Sequence, residues 1–217
     1  MAGKVIVIVP TQGLDTQRFL ANARELNRRV YHNKATIVRT TLSGNADEAS
    51  VSFRTLNGHH FAWETTHDVE SVITISHGAI CDGPNLGYLM PPGQKNQPWD
   101  SAVRYNRDGS KSNMCSNTLS EPAKAFWGKV SRSMTSKGKI ILLGCEMGSG
   151  AYAGNVAAVV GKRVFASKGP FAAADEGSVL RHVTAIEHGK VKGPMKQSSP
   201  PTRHRRQCDP SVARGRF

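Results

Sequence analysis

Two stretches of this 217-residue chain decide its fold: Ser71-Val72-Ile73-Thr74-Ile75-Ser76-His77-Gly78 and Gly138-Lys139-Ile140-Ile141-Leu142-Leu143-Gly144-Cys145. Each is a short run of β-branched or aliphatic residues that stops at a reactive side chain beside a glycine. If the two runs are neighbouring strands of a parallel sheet, His77 and Cys145 lie at one carboxyl edge, where open α/β sheets bind ligands. A cysteine nucleophile requires at least a thiol with a base, such as an imidazole, beside it.

The remaining hydrophobic pattern predicts such a sheet. Apolar runs predict strands, and amphipathic periodicity predicts helices. The predicted strands are 4–9, 35–42, 72–77, 139–145 and 163–167, and the predicted helices are 15–31, 120–134, 150–160 and 178–188. Asp15 is the predicted N-cap of the first helix. A hairpin is predicted over 51–63, because Asn57-Gly58 separates two alternating runs.

This order of elements predicts an α/β fold, a three-layer sandwich with a mostly parallel central sheet and a hairpin insertion. Residues 1–189 form the predicted domain. Residues 190–217 are rich in Pro, Ser, Lys and Arg, and we expect them to form a basic flexible tail. Residues 78–119 have no clear periodicity, which is unusual for a compact domain and typical of a functional or mobile segment.

The chain carries a formal net charge of +13, which suggests acidic partners. Residues 190–217 contain eight Lys or Arg and one acid, so they hold more than half of that excess. The tail is either a solvated extension or an arm for an anionic partner such as nucleic acid, lipid or an inositol polyphosphate. No apolar run approaches membrane-spanning length, and the run at 4–9 is too short for a signal peptide.

Cysteine usage bears on the compartment. The four cysteines have no CxxC spacing, so free thiols in a reducing compartment are expected. We therefore expect a cytoplasmic protein, or one delivered to a target cell by a route without an N-terminal signal peptide. The oligomeric state stays open.

The turn after Cys145 has the small residues that acyl transfer requires. Gly148-Ser149-Gly150 follows the cysteine closely, so backbone N–H groups can point at an incoming oxyanion. Gly78 can supply a second N–H. Taken singly, His77 and Cys145 are better explained as structural residues. Taken together, at two strand ends that both lead into glycine-bearing turns, they favour a nucleophile and its base.

These motifs resemble those of a known group of enzymes. The segments Ile75-Ser76-His77-Gly78-Ala79 and Leu143-Gly144-Cys145-Glu146-Met147-Gly148-Ser149 are similar to the histidine and cysteine motifs of the caspase-like (clan CD) cysteine peptidases. That group includes caspases, CHAT-domain proteases, clostripain, legumain and the self-cleaving C80 domains of bacterial toxins. The Cys-Glu-x-Gly-Ser order looks most like legumain, and the Ser-His-Gly strand end looks most like CHAT domains and caspases.

The resemblance implies a divergent member of this group with a caspase/hemoglobinase-like fold. It implies that Cys145 is the nucleophile, that His77 is the general base and acid, and that the backbone N–H groups of Gly78 and Cys145 form the oxyanion hole. The implied activity is that of a cysteine endopeptidase acting on a specific protein, itself included, as in a bacterial effector or defence protease.

The resemblance also suggests where the substrate binds. Loops after the third and fifth strands line the S1 pocket in the family, and Glu146 follows the nucleophile. The candidate substrate-binding residues are the acids Glu146, Asp82, Asp175 and Glu176. They would suit a basic P1 side chain. For Glu146, a solvated turn acid is an equally good explanation.

No metal site or cofactor is expected. His59 and His60 are adjacent on a predicted strand and point to opposite faces, so they cannot readily chelate one ion.

Two other functions stay open. The first is a catalytically inactive caspase-like scaffold that binds protein partners through its cleft and keeps its function when Cys145 becomes Ala. The second is a basic anion- or nucleic-acid-binding α/β protein, although no recognised nucleic-acid motif occurs. An α/β hydrolase is disfavoured because no G-x-S-x-G ends a strand, and a dinucleotide-binding fold is disfavoured because no glycine-rich turn follows the first strand.

Overall fold

The secondary structure follows the predicted order of strands and helices. A computed structural model of the chain describes residues 3–11, 15–43, 50–79, 83–84, 119, 121–145, 147–148, 151–169, 171–191 and 195–199. Their elements are β1 (Lys4–Pro10), α1 (Thr16–Arg29), β2 (Ala35–Ser43), β3 (Ser50–Thr55), β4 (Val69–Ile75), β5 (Gly78–Ala79), β6 (Gly83–Pro84), α2 (Glu121–Ser133), β7 (Met134–Leu143), α3 (Tyr152–Val160), β8 (Arg163–Ser167), α4 (Glu176–Glu187) and β9 (Met195–Ser198).

The main sheet has the strand order β3-β2-β1-β4-β7-β8-β9. The central strands β2, β1, β4, β7 and β8 are parallel to one another, and the outer strands β3 and β9 are antiparallel to their neighbours. Parallel strands covered on both faces read as continuous apolar runs, which explains the sequences of β1, β4 and β7. The predicted mostly parallel central sheet is confirmed.

Helices cover both faces of this sheet. Alternate residues of β7 divide between two apolar clusters, because successive side chains of a strand point to opposite faces. Ile140 and Leu142 pack in the cluster that includes residues of α2 and α3, whereas Ile141 and Leu143 pack in the cluster that includes residues of α1 and α4. The three-layer α/β sandwich is therefore confirmed.

A polar cluster links the end of α4 and the segment after α1 to the amino ends of strands β4 and β7. The carboxylate of Glu187, at the end of α4, accepts a hydrogen bond from the hydroxyl of Tyr31 (2.7 Å) and lies 2.5 Å from the Lys139 ammonium. Ser71, which is opposite Lys139 in the β4–β7 register, contributes a longer bond of 3.4 Å. Burial of Tyr31 raises its pKa, and the negative charge of Glu187 raises it further.

The structure differs from the sequence prediction at Asp15, which makes no side-chain cap to α1, and in the short strand pair β5–β6, which lies in the segment predicted to be aperiodic. It also differs in β3, β7 and β9. Strand β3 pairs with β2, and the second arm of the predicted 51–63 hairpin is reduced to one bridge between Arg54 and His60 around Gly58. Strand β7 begins at Met134, earlier than predicted, with a register shift near its start. Residues 195–198, which the composition assigned to the tail, form β9. Residues 200–217 and most of the aperiodic segment lie outside the described residues.

The helices of the described part of the chain are all too short or too polar to cross a membrane.

Candidate active site

The carboxyl ends of β4 and β7 lie side by side. Ile75 is opposite Leu143 in the parallel register, and the N–H of Ser76 donates to the carbonyl of Leu143 (3.1 Å). His77 and Cys145 each follow two residues beyond that last registered pair. Neighbouring strands are separated by about 4.8 Å, so the two reactive residues come to one edge of the sheet. The structure thus brings together the two strand ends that the sequence singled out.

Glycines allow this close approach. A Cβ atom on Gly144 would lie 2.7 Å from the carbonyl oxygen of Ser76 and 3.2 Å from the nitrogen of Gly78. A Cβ atom on Gly78 would lie 3.0 Å from the carbonyl oxygen of Cys145. The backbones on either side of the candidate dyad are therefore nearly in contact. The predicted oxyanion-hole residues, Gly78 and Cys145, are close neighbours.

Ser167, at the end of β8, is hydrogen-bonded to the turn around Cys145. Strand β8, the neighbour of β7, thus supports the site together with β4 and β7. The buried hydroxyl of Ser167 donates a short hydrogen bond to the carbonyl of Gly144, and its own carbonyl accepts the N–H of Gly148 (2.6 Å). The turn around Cys145 is thus bound before and after the cysteine by one residue. Fully buried Met147 fills the space beneath it and reaches both Gly78 and Gly144.

The thiol of Cys145 is free and partly exposed. Its Sγ lies 3.4 Å from the carbonyl oxygen of Phe171, in the segment between β8 and α4. A thiolate has no proton to donate, so this contact belongs to the neutral thiol. The same segment is fixed from α1, where the buried amide of Asn22 donates to the carbonyl of Ala173 (2.8 Å). Cys81, Cys115 and Cys208 lie outside the described residues.

The imidazole of His77 is approached by two side chains of the α1 region. Its Nε2 atom is 3.4 Å from Oδ2 of Asp15, and its ring meets the ring of Phe19 edge-on, with 5.0 Å between the centroids. The His77 side chain is 47 % exposed, so substrate and water can reach it.

The candidate substrate-binding acids fall into two groups. Asp175 is the N-cap of α4, where its carboxylate accepts the N–H of Ser178 (2.7 Å), and exposed Glu176 lies 3.6 Å from the Arg29 guanidinium. Both acids lie at the start of α4 and are already engaged, Asp175 by Ser178 and Glu176 by Arg29. Asp82 and Glu146 lie outside the described residues. Within the described ranges, no three His, Cys, Asp or Glu side chains gather closely enough to hold a metal ion.

Sequence reasoning missed the supporting residues of the site. Ser167 ends a strand of the same parallel sheet, so the rule that located His77 and Cys145 could have located it as well. The contact between Phe171 and Cys145 involves only a backbone carbonyl and left no sequence signal. Asp15 was predicted as a helix cap, which concealed its contact with His77.

Comparison with known proteins gives limited similarity. No family model matches the sequence, and no curated protein matches it. Among solved structures, the chain is similar to a secreted C11 cysteine protease from Bacteroides thetaiotaomicron called iotapain, with 13 % identity and a TM-score of 0.38. It is also similar to such a protease from the same organism bound to an irreversible peptide inhibitor, with 11 % identity and a TM-score of 0.40.

Each of these alignments covers 84 % of the present chain. The chain spans only 57 % and 54 % of the two solved chains.

Proposed function

We propose that the chain is a cysteine endopeptidase in which Cys145 attacks the peptide carbonyl and His77 acts as general base and then general acid. The pairing of β4 with β7 is the observation that supports this most. It brings a thiol and an imidazole from residues far apart in sequence to the edge of a parallel sheet, where ligands bind. The partial exposure of both side chains fits a site that must admit a polypeptide.

The proposed reaction begins when His77 takes the proton of the Cys145 thiol. The thiolate attacks the scissile carbonyl carbon, and the new oxyanion is stabilised by the backbone N–H groups of Gly78 and Cys145. The His77 imidazolium protonates the leaving amine as the C–N bond breaks, which leaves a thioester on Cys145. His77 then takes a proton from water, whose oxygen attacks the thioester, and the thiol and the new carboxylate are released.

This chemistry requires the Cys145 thiol to leave the Phe171 carbonyl. Sγ lies within hydrogen-bond distance of that carbonyl oxygen, which holds the thiol group toward the segment between β8 and α4. A substrate strand entering beside residues 171–173 would compete for the same carbonyl. We therefore propose that substrate binding releases the Cys145 side chain from this carbonyl.

The first test is the alkylation rate of each thiol, followed by mass spectrometry of the full chain between about pH 6 and 7, where an ordinary thiol is mostly protonated. The expected result is that Cys145 reacts at least about tenfold faster than Cys81, Cys115 and Cys208. The His77→Ala variant should abolish that advantage. Equal rates for all four thiols, or an unchanged Cys145 rate in the variant, would refute the proposed dyad.

Peptides with Arg, Asp, Asn or Leu at P1 then test specificity. Cleavage after Arg is expected if Glu146 or Asp82 lines the pocket, and cleavage only after Asp would contradict an acidic pocket. The scaffold alternative is tested with Cys145→Ala. If this variant keeps the biological activity of the chain, that activity is binding and needs no catalysis.

A further inference from the structure

Asp15 precedes α1 but does not cap it. An aspartate at an N-cap normally has extended backbone angles and accepts an N–H of the first helical turn. Asp175 does this at the start of α4, with φ −96°, ψ 117° and a bond from Ser178. Asp15 instead has φ 60° and ψ 9°, and its carboxylate accepts no backbone N–H of the first helical turn. The Asp15 side chain therefore does not make the capping hydrogen bond that aspartate favours at this position.

The carboxylate of Asp15 faces His77 instead. Oδ2 lies 3.4 Å from Nε2 of His77, and Oδ1 lies 3.5 Å from the exposed guanidinium of Arg18. The main chain of Asp15 is fixed as well, because its carbonyl accepts the N–H of Phe19 (2.9 Å). Phe19 is the residue whose buried ring contacts the edge of the same imidazole. The first turn of α1 thus meets His77 through both a carboxylate and an aromatic ring.

We infer that Asp15 is a positioning residue for His77. It accepts the Nε2 proton of the imidazole, holds the neutral ring in the Nε2–H tautomer and leaves Nδ1 as the free lone pair. A histidine whose second nitrogen is bonded to a carboxylate keeps one tautomer and one orientation. The role of that lone pair as base toward Cys145 rests on the proposed function, but the tautomer itself does not.

The proton path follows from this arrangement. The Cys145 proton passes to Nδ1, while the Nε2 proton stays on the ring. The Asp15 carboxylate stays on the Nε2 side of the ring throughout the transfer, so the ring keeps its orientation. Asp15 touches neither substrate nor nucleophile in this scheme and acts only through His77.

The test variant is Asp15→Asn. Asparagine tolerates positive φ, so the backbone at this position can be retained, and the net charge changes by one. The matched control is Asp68→Asn. Asp68 also has positive φ (61°) and is exposed, and it lies before β4, at the opposite end of the sheet from His77. The same substitution is thereby made twice in the same backbone conformation.

The primary readout is the pair of ¹⁵N chemical shifts of His77, measured at a pH high enough for the imidazole to be neutral. The wild type and Asp68→Asn should have the Nε2–H tautomer. Asp15→Asn should move the ring toward the Nδ1–H tautomer, because the new amide can donate to Nε2. The second readout is the Cys145 alkylation rate, which Asp15→Asn should lower about 10- to 100-fold. This is less than the about 10⁴-fold loss for a buried triad aspartate, because the Asp15 side chain is 32 % exposed.

The outcomes separate the two proposals. An unchanged His77 tautomer in Asp15→Asn would overturn the positioning role, as would an equal change in Asp68→Asn. If the tautomer changes in Asp15→Asn while Cys145 of the wild type is no more reactive than the other cysteines, the positioning role stands and the peptidase proposal fails.

Discussion

The contact between β4 and β7 at Gly144 allows a quantitative test of the site. In Gly144→Ala, the new Cβ would lie 2.7 Å from the carbonyl oxygen of Ser76 and 2.5 Å from Cε of Met147. The methionine tip can rotate away, but the carbonyl belongs to the backbone of β4. Because ordinary contacts of carbon begin near 3.4 to 3.5 Å, the two strand ends must separate by about 0.7 Å. Overpacking of this kind costs about 1–3 kcal/mol of unfolding free energy.

The same movement separates the two halves of the candidate dyad. His77 follows Ser76 and Cys145 follows Gly144, so the displacement acts directly between the reacting groups. A misplacement near 1 Å lowers rates by up to about 100-fold, so Gly144→Ala should slow Cys145 alkylation, and any peptide cleavage, by tenfold or more. Urea unfolding measures the stability change, and mass spectrometry measures the alkylation rate.

Gly154→Ala is the matched control. Gly154 lies inside α3, and a Cβ atom there meets nothing within 4 Å. Replacing a helical glycine by alanine should stabilise the chain by about 0.5–1 kcal/mol and leave the Cys145 rate unchanged. Wild-type stability and reactivity in Gly144→Ala would refute the predicted separation of the strand ends. Equal behaviour of the two alanine variants would refute it as well.

Two further substitutions test the framework around the site. Because folding raises the pKa of Tyr31, its stabilising effect is complete below the ordinary tyrosine pKa and is lost as pH rises above about 10. Above that pH, the free energy of unfolding measured in urea should fall by up to about 1.4 kcal/mol per pH unit more in the wild type than in Tyr31→Phe. An equal pH dependence in both proteins would contradict the raised pKa of Tyr31. Asn22→Ala removes the buried bond to the Ala173 carbonyl and should cost about 1–3 kcal/mol in the same assay. It should also change the alkylation rate of Cys145, since the carbonyl of Phe171 in the same segment contacts the thiol. An unchanged rate would show that this segment does not influence the site.

The central sheet was predictable because its signals are local. Each buried strand is a continuous apolar run, and each helix has one apolar face, so a short window of sequence suffices. The ends of β4 and β7 could be paired in advance because parallel strands present their carboxyl ends at one edge. Gly161 ends α3 with φ 66°, a backbone conformation that glycine adopts readily.

The remaining differences depend on partners that a local window does not contain. Asn57-Gly58 does form a turn, but nothing in residues 51–63 reveals that β3 pairs with β2. Strand β9 is four residues long and lies in a segment of polar composition. It forms because it pairs with the free edge of β8 and because the Met195 side chain is buried in the core. The contact between Asp15 and His77 joins residues 62 positions apart, and the cap rule gave Asp15 a different role.

The wide spread of the site along the chain has a consequence during synthesis. The proposed dyad and the residues that contact it extend from Asp15, before α1, to Phe171, after β8, so no short fragment contains them all. A nascent chain that has just produced Cys145 still lacks Ser167, which binds the cysteine turn on both sides. Pairing of such distant segments is slow compared with local folding. In the proposed peptidase, the thiol would therefore become reactive only after β8 has been synthesised. A prematurely terminated product that ends before β8 would carry Cys145 without Ser167, which binds its turn.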